Sequence, residues 1–320
     1  MAVSGTVPTE LGDKKIRDLL MQYAVPAIIA MTASSLYNMV DSIFIGHIKD
    51  VGSYAISGLA VTFPLMNIAT ALGTLVGVGA STILSMLLGQ RNYEAANKVL
   101  VNEVMLNVII GISFTIVTLL FLDPILLFFG ASVNTLPFAR DYMVIILIGN
   151  VITHLYFGLN NIIRASGNPK LAMALTIFTV VSNTIMDPIF IFWLGMGIRG
   201  AALATVICQL LALVYTLKYF LSDKNYLRLP RKVSEYKLDW RIAKDSLTIG
   251  MGPFLMNSAA CIVTMFINQQ LSKYGGDLAI GAYGIVNRFT FLFIMINMGL
   301  NQGMQPIAGY NFGARKYSRV

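Results

Sequence analysis

Eight apolar segments, each longer than any soluble core element, leave this chain few ways to fold. They run over 19–46, 55–88, 98–122, 136–163, 171–194, 198–221, 243–271 and 279–309. Each exceeds the ~20 residues with which a helix crosses the hydrocarbon of a bilayer, and several have length to spare for tilting or bending. Strict polar and apolar alternation is missing, which argues against a transmembrane barrel. Charged residues make up only 12% of the chain, where a soluble domain carries about 25%. The segments therefore predict an all-α polytopic membrane protein.

The net charge of +8 does not mark a nucleic-acid partner, because the basic residues lie between the apolar segments and form no single face. With the N-terminus placed inside, eighteen Lys and Arg residues fall on the inner side and four on the outer, with Arg288 inside a span. That asymmetry predicts a cytoplasmic N-terminus; the expected location is the cell (inner) membrane. The first apolar run is too long for a secretory signal and ends in no cleavage pattern. Cys208 and Cys261 both fall within spans and are expected as packed thiols, not as a disulfide.

Ser222–Asp239 is polar and basic, contains Pro230, and separates six spans from two. The predicted organisation is a six-helix lobe over 1–221, a cytoplasmic linker over 222–239 that meets lipid headgroups, and a partial second lobe over 240–320. A shift of 224 residues pairs Lys49 with Lys273, Ala55-Ile56 with Ala279-Ile280, Gly79 with Gly303, Gly89 with Gly313 and Tyr93 with Tyr317. An even number of spans separates the copies, so the repeat is parallel. If spans seven and eight repeat spans one and two, four more are expected beyond Val320, and the chain is part of a twelve-span protein.

Asp41 and Asp187 lie inside apolar runs. A charge in hydrocarbon costs at least ~2.5–3.5 kcal/mol and persists where it faces a cavity or a partner. Helical rise places Asp41 roughly 8 Å, and Asp187 and Thr205 roughly 12 Å, below the outer ends of their spans. Asn183 is one turn from Asp187 on the same face. Two carboxylates, an amide and a hydroxyl thus share one outer-leaflet layer. Such oxygens suit sodium, and the same carboxylates can instead hold a proton. At the repeat offset Asp41 meets Met265, so the acidic site belongs to the first lobe alone.

Other positions carry weaker expectations. Pro26 interrupts the first span and predicts a bend or hinge. Tyr37 is one turn before Asp41. Asn160 and Asn161 close the fourth span, where Arg164 is expected to snorkel to the interface. Gly73-x-x-x-Gly77 fits close helix packing. No soluble catalytic triad, phosphate loop or zinc signature is present, and His47 and His154 lack metal-ligand spacing, so the chain does not read as an enzyme.

Four stretches carry a family resemblance: Ser35 to Gly46, Gly89 to Tyr93, Ile163 to Lys170, and Asn183 to Phe190 followed by Gly200 to Thr205. Together they resemble the multidrug and toxic compound extrusion (MATE) family, in its prokaryotic branch. The resemblance implies two six-helix lobes around a central cavity. It also implies an antiporter in which inward flow of protons or sodium drives multidrug (xenobiotic) efflux of lipophilic, often cationic compounds by alternating access. Asp41, Asn183, Asp187 and Thr205 would form the cation site, Pro26 the bend, and Tyr37 and Asn160 would lie near the substrate cavity. No cofactor beyond the coupling ion, and no protein partner, is implied. The competing readings are a lipid-linked saccharide flippase, whose cavity should be richer in basic residues, and an intramembrane aspartyl protease, whose Tyr-Asp and Gly-x-Gly-Asp contexts do not match Val40-Asp41 and Met186-Asp187.

Overall fold

A computed structural model of the protein describes residues 9–49, 51–223 and 225–320. Lys224 and the side chain of Arg288 lie outside the described residues. Among those described, the chain is helical throughout, with no strand. A short helix α1 (Glu10–Asp13) leads into α2 (Ile16–Gly46), α3 (Gly52–Gly89), α4 (Tyr93–Leu120), α5 (Leu122–Phe128), α6 (Leu136–Ile148), α7 (Asn150–Ala165) and α8 (Pro169–Pro188). A π-helical turn (Ile189–Trp193) and α9 (Ile198–Leu221) follow. The helical run Trp240–Gly313 breaks at Gly276, whose φ of 69° and ψ of −171° no helix contains. The break divides the run into two spans, α10 (Trp240–Leu271) and α11 (Gly281–Gly313).

Among the described residues, seven helices are long and apolar enough to cross a bilayer, and α6 with α7 makes an eighth span bent by 56°. The bend coincides with two contacts from neighbouring helices. The hydroxyl of Thr115 on α4 donates to the Leu147 carbonyl at 2.9 Å, a side chain inserted at the turn where the helix bends. Gly149 follows, where an added Cβ would lie 2.4 Å from Val206 of α9. Trp193 and Trp240 stand exposed at opposite ends of the bundle, as aromatic residues do at membrane interfaces. Between those ends, Ile112, Ile116, Phe178, Val181 and Ile185 point outward, which suits lipid.

Among the described residues, two large buried clusters fill the bundle, with a small third of Val76, Leu106 and Ala243 between α3, α4 and α10. One joins Leu19, Leu84, Leu88, Leu100, Ile163 and Tyr310 at the end carrying the basic residues. The other joins Ile45, Leu126, Met143, Leu147 and Ile198 at the opposite end. The segment between α9 and α10 is tied down more closely than a free linker. Asn97 of α4 donates to the Tyr226 carbonyl and accepts from the Arg228 amide, Tyr226 donates to the Ser166 carbonyl, and Leu227 and Leu229 are buried. Burial raises the Tyr226 hydroxyl pKa above its ordinary value. Cys208 and Cys261 are buried and free.

The packing between the halves follows the 224-residue offset. Arg91 and Arg315, which are offset-related, both adopt a left-handed φ of 58°. A Cβ on Gly89 would lie 2.1 Å from the Tyr310 carbonyl oxygen, and one on Gly313 would lie 2.0 Å from that of Met86. Those two contacts exchange residues at the same offset, as a two-fold axis requires. Farther from the basic end, a Cβ on Gly79 would lie 1.9 Å from the Ser246 oxygen and one on Gly303 2.4 Å from the Ala24 Cα. Likewise Gly250 lies against Leu75, and Gly299 against Ile28. Glycine at these positions lets backbones touch, the device by which membrane helices associate without a hydrophobic driving force.

Candidate functional site

The site takes its shape from α2, α8 and α9. Helix α8 carries Asn183 and Asp187 one turn apart and ends at Pro188, which has no N–H to return to the Thr184 carbonyl. The chain continues as a π turn, with the Leu194 amide donating to the Ile189 carbonyl. Gly195 and Gly197, at φ of 65° and 58°, then reverse it into α9. That reversal lays Thr205 beside Asn183.

The Thr205 hydroxyl donates to the Ala201 carbonyl at 3.1 Å. Its single proton is thereby used, so its other contacts must be donated to it. Tyr37 Oη lies 2.8 Å away and Asn183 Nδ2 3.3 Å away. Thr205 thus acts as an anchor for α2 and α8, and it turns the Asn183 amide so that Oδ1 is the open end. Asn183 Oδ1 and both oxygens of Asp187 have no hydrogen-bond partner among the described residues, although both side chains are buried and Asp187 is 0% exposed. Asp41 is also buried and lies within electrostatic reach of Asp187 and Tyr37. The cluster is rich in acceptors and poor in donors, so a cation or a proton complements it.

The structure therefore brings together Asp41, Asn183, Asp187, Thr205 and Tyr37. Asn160 sits apart, with Nδ2 donating to the Ala172 carbonyl and Oδ1 accepting from Arg164. Both of its polar groups are occupied within the protein. Pro26 is buried in α2, which passes through it as one helix. Arg164 departs from the expectation of snorkelling. It is 4% exposed and donates to Asn160, Asn161 and Gln302 of α11. Its guanidinium is held by the Asn160 and Asn161 amide oxygens of its own helix and reaches across to the Gln302 amide oxygen of the second repeat.

A third buried acid, Glu103 of α4, was not among the residues expected from sequence. It lies in the apolar run 98–122 and carried the same signal as Asp41, an acid in a span.

A family model described as MatE matches residues 26–189 and 252–320. The chain is 32% identical over 297 residues to the multidrug export protein MepA of Staphylococcus aureus (strain MSSA476), covering 93% of this chain and 65% of that protein. It is 32% identical over 304 residues to MepA of Staphylococcus haemolyticus (strain JCSC1435), covering 95% and 66%. The chain thus spans about two thirds of the length of these curated relatives. Among solved structures it resembles the MATE multidrug transporter DinF-BH, at 35% identity and a TM-score of 0.91 over 100% of this chain and 70% of that one. It also resembles an outward-facing multidrug resistance MATE family transporter of the MOP superfamily, at 25% identity and a TM-score of 0.87 over 98% and 69%. With its bundle of spans and a family match over more than half of its length, the chain belongs to the MatE family.

Proposed function

We propose that this chain serves cation-coupled export of lipophilic, often cationic compounds by alternating access, with its N-terminus in the cytoplasm of a cell whose inner membrane it spans. The observation that carries the reading is the acceptor-rich cluster of Asp41, Asn183 and Asp187, anchored by Thr205 and Tyr37 across three helices. A proton or sodium ion is the ligand such a cluster suits. Asp187 and Asn183 Oδ1 would hold it with Asp41, and Thr205 would keep the amide in place. The names of the relatives, multidrug export and multidrug transport, support drugs and other xenobiotics as the cargo.

Coupling needs an element with two arrangements that both ligands bias. The glycine seam between α2, α3, α10 and α11 supports such a role, since a few glycines carry the close contact. A cation binding between α2 and α8 acts on α2, and α2 forms part of the seam through Ala24 and Ile28. The test is efflux of a fluorescent lipophilic cation from cells making the protein, with Asp41→Asn and Asp187→Asn as variants. Loss of efflux in both, at unchanged membrane abundance, supports the proposal. Undiminished efflux in either variant refutes the assigned site.

A further inference from the structure

We propose a second monovalent-cation site, for a proton or sodium, built on Glu103 and Asn107 at the crossing of α3, α4 and α7. Glu103 is 0% exposed and lies ten residues into α4, or about 15 Å from the basic end. Its Oε1 accepts from Asn107 Nδ2 at 2.5 Å. Its Oε2 has no partner among the described residues, and no Lys or Arg there pairs with it. Asn107 is buried as fully, and its Oδ1 is also unpartnered.

The space for these groups is made by glycine. A Cβ on Gly158 of α7 would lie 1.7 Å from Glu103 Oε1 and 2.5 Å from Asn107 Nδ2. Behind it, a Cβ on Gly77 of α3 would lie 3.2 Å from the Gly158 Cα. One turn along α7, His154 is buried, with Nε2 2.9 Å from the Ala69 carbonyl oxygen. A carbonyl can only accept, so Nε2 carries the proton and Nδ1 is left as a lone pair. Nδ1 has no partner among the described residues and faces Gly111, one turn beyond Asn107 on α4. Glu103, Asn107 and His154 thus leave three acceptors open against one remaining donor, the second Nδ2 hydrogen of Asn107. A buried column of that kind is completed by a positive ion or a proton.

Few other charges face the column. Apart from Tyr54 near its far end, α3 has no ionisable side chain. On α7, Arg164 is turned to Gln302. On α10, which also packs on α4, Lys244 and Asp245 are exposed, and buried Ala243 packs against Leu106. On α6, Arg140 and Asp141 pair with Asp123 and Arg199 at the opposite end of the bundle.

The test measures thermal stability of the purified protein against sodium and against pH, in a background carrying Asp41→Asn and Asp187→Asn. Failure of the Asp41–Asp187 reading is thereby kept apart from failure of this one. A residual midpoint shift with sodium at fixed pH, or with pH in sodium-free buffer, is expected in that background and is lost on adding Glu103→Gln. The first arm identifies sodium, the second a proton. No residual shift, the outcome if the column only holds water, overturns the proposal, and so does a shift that survives Glu103→Gln. Infrared difference spectra in the same background, with Glu103 intact, give a readout that does not depend on the glutamine variant folding. A carboxyl band that changes with sodium or pH is expected, and a silent carboxyl region overturns the site.

Discussion

Replacing Gly79 by alanine places a methyl group where the backbones of α3 and α10 touch. Its Cβ would lie 1.9 Å from the Ser246 carbonyl oxygen, against 3.4 Å for the onset of ordinary contact. The helices must part by about 1.5 Å, and neither side can yield by rotating a side chain because the obstacle is backbone. Overpacking of this size costs about 1–3 kcal/mol. Applied to a closed seam alone, that shifts the ratio of closed to open by roughly 5- to 150-fold. A reporter cysteine measures it. Ser85 is buried and its Cβ lies 2.8 Å from the Cβ position of Gly309 across the seam, so Ser85→Cys, with Cys208 and Cys261 replaced by alanine, is shielded while the seam is shut. Maleimide labelling of that cysteine is expected to quicken when Gly79→Ala is added, and likewise with the offset-related Gly303→Ala. Gly252→Ala is the control, because its Cβ would meet nothing within 4 Å. If Gly79→Ala labels no faster than Gly252→Ala, close backbone contact does not hold the seam.

Three further outcomes follow from the same geometry. Arg164→Gln removes the cation that bridges Asn160, Asn161 and Gln302, and each acceptor left unsatisfied costs about 1–3 kcal/mol, so thermal stability falls; Arg164→Lys restores little of it, because an ammonium cannot span the same fork. Thr205→Val frees the Asn183 amide and the Tyr37 hydroxyl while leaving both carboxylates in place, so a cation titration should show weakened but surviving binding, in contrast to Asp187→Asn. Gly195→Ala, with open space around it but a φ of 65°, should lose about 1–2 kcal/mol through backbone strain alone, measured as a lowered unfolding midpoint.

The spans were legible because membrane thickness fixes their length, and the first-lobe layer because helical rise converts residue number into depth. Asp41, Asn183, Asp187 and Thr205 could be placed at one level without any tertiary information. What stayed hidden depends on partners distant in sequence. The α6–α7 bend coincides with Thr115 reaching a carbonyl thirty-two residues away, inside a run whose composition gives no warning. Arg164 turns inward to Gln302, which lies 138 residues later. That Thr205 anchors the amide, with its own lone pairs filled, follows from a count of its hydrogen bonds and not from the residue type. Glu103 was visible and needed only the rule already applied to Asp41. The repeat was faint as sequence identity, and it stands out in the structure because paired glycines and paired left-handed arginines keep the same offset.

The central claim is that Asp41 and Asp187 together hold the coupling cation. The unfolding temperature of the purified protein, measured as sodium is titrated at fixed pH and as pH is varied without sodium, tests it most directly. A ligand at 100 times its Kd stabilises the folded state by about 2.7 kcal/mol, enough to move the midpoint visibly. A sodium- or proton-dependent shift is expected in the wild type, and it should shrink in both Asp41→Asn and Asp187→Asn. Shifts in both variants equal to that of the wild type would show that these carboxylates only pack the lobe, and would contradict the claim.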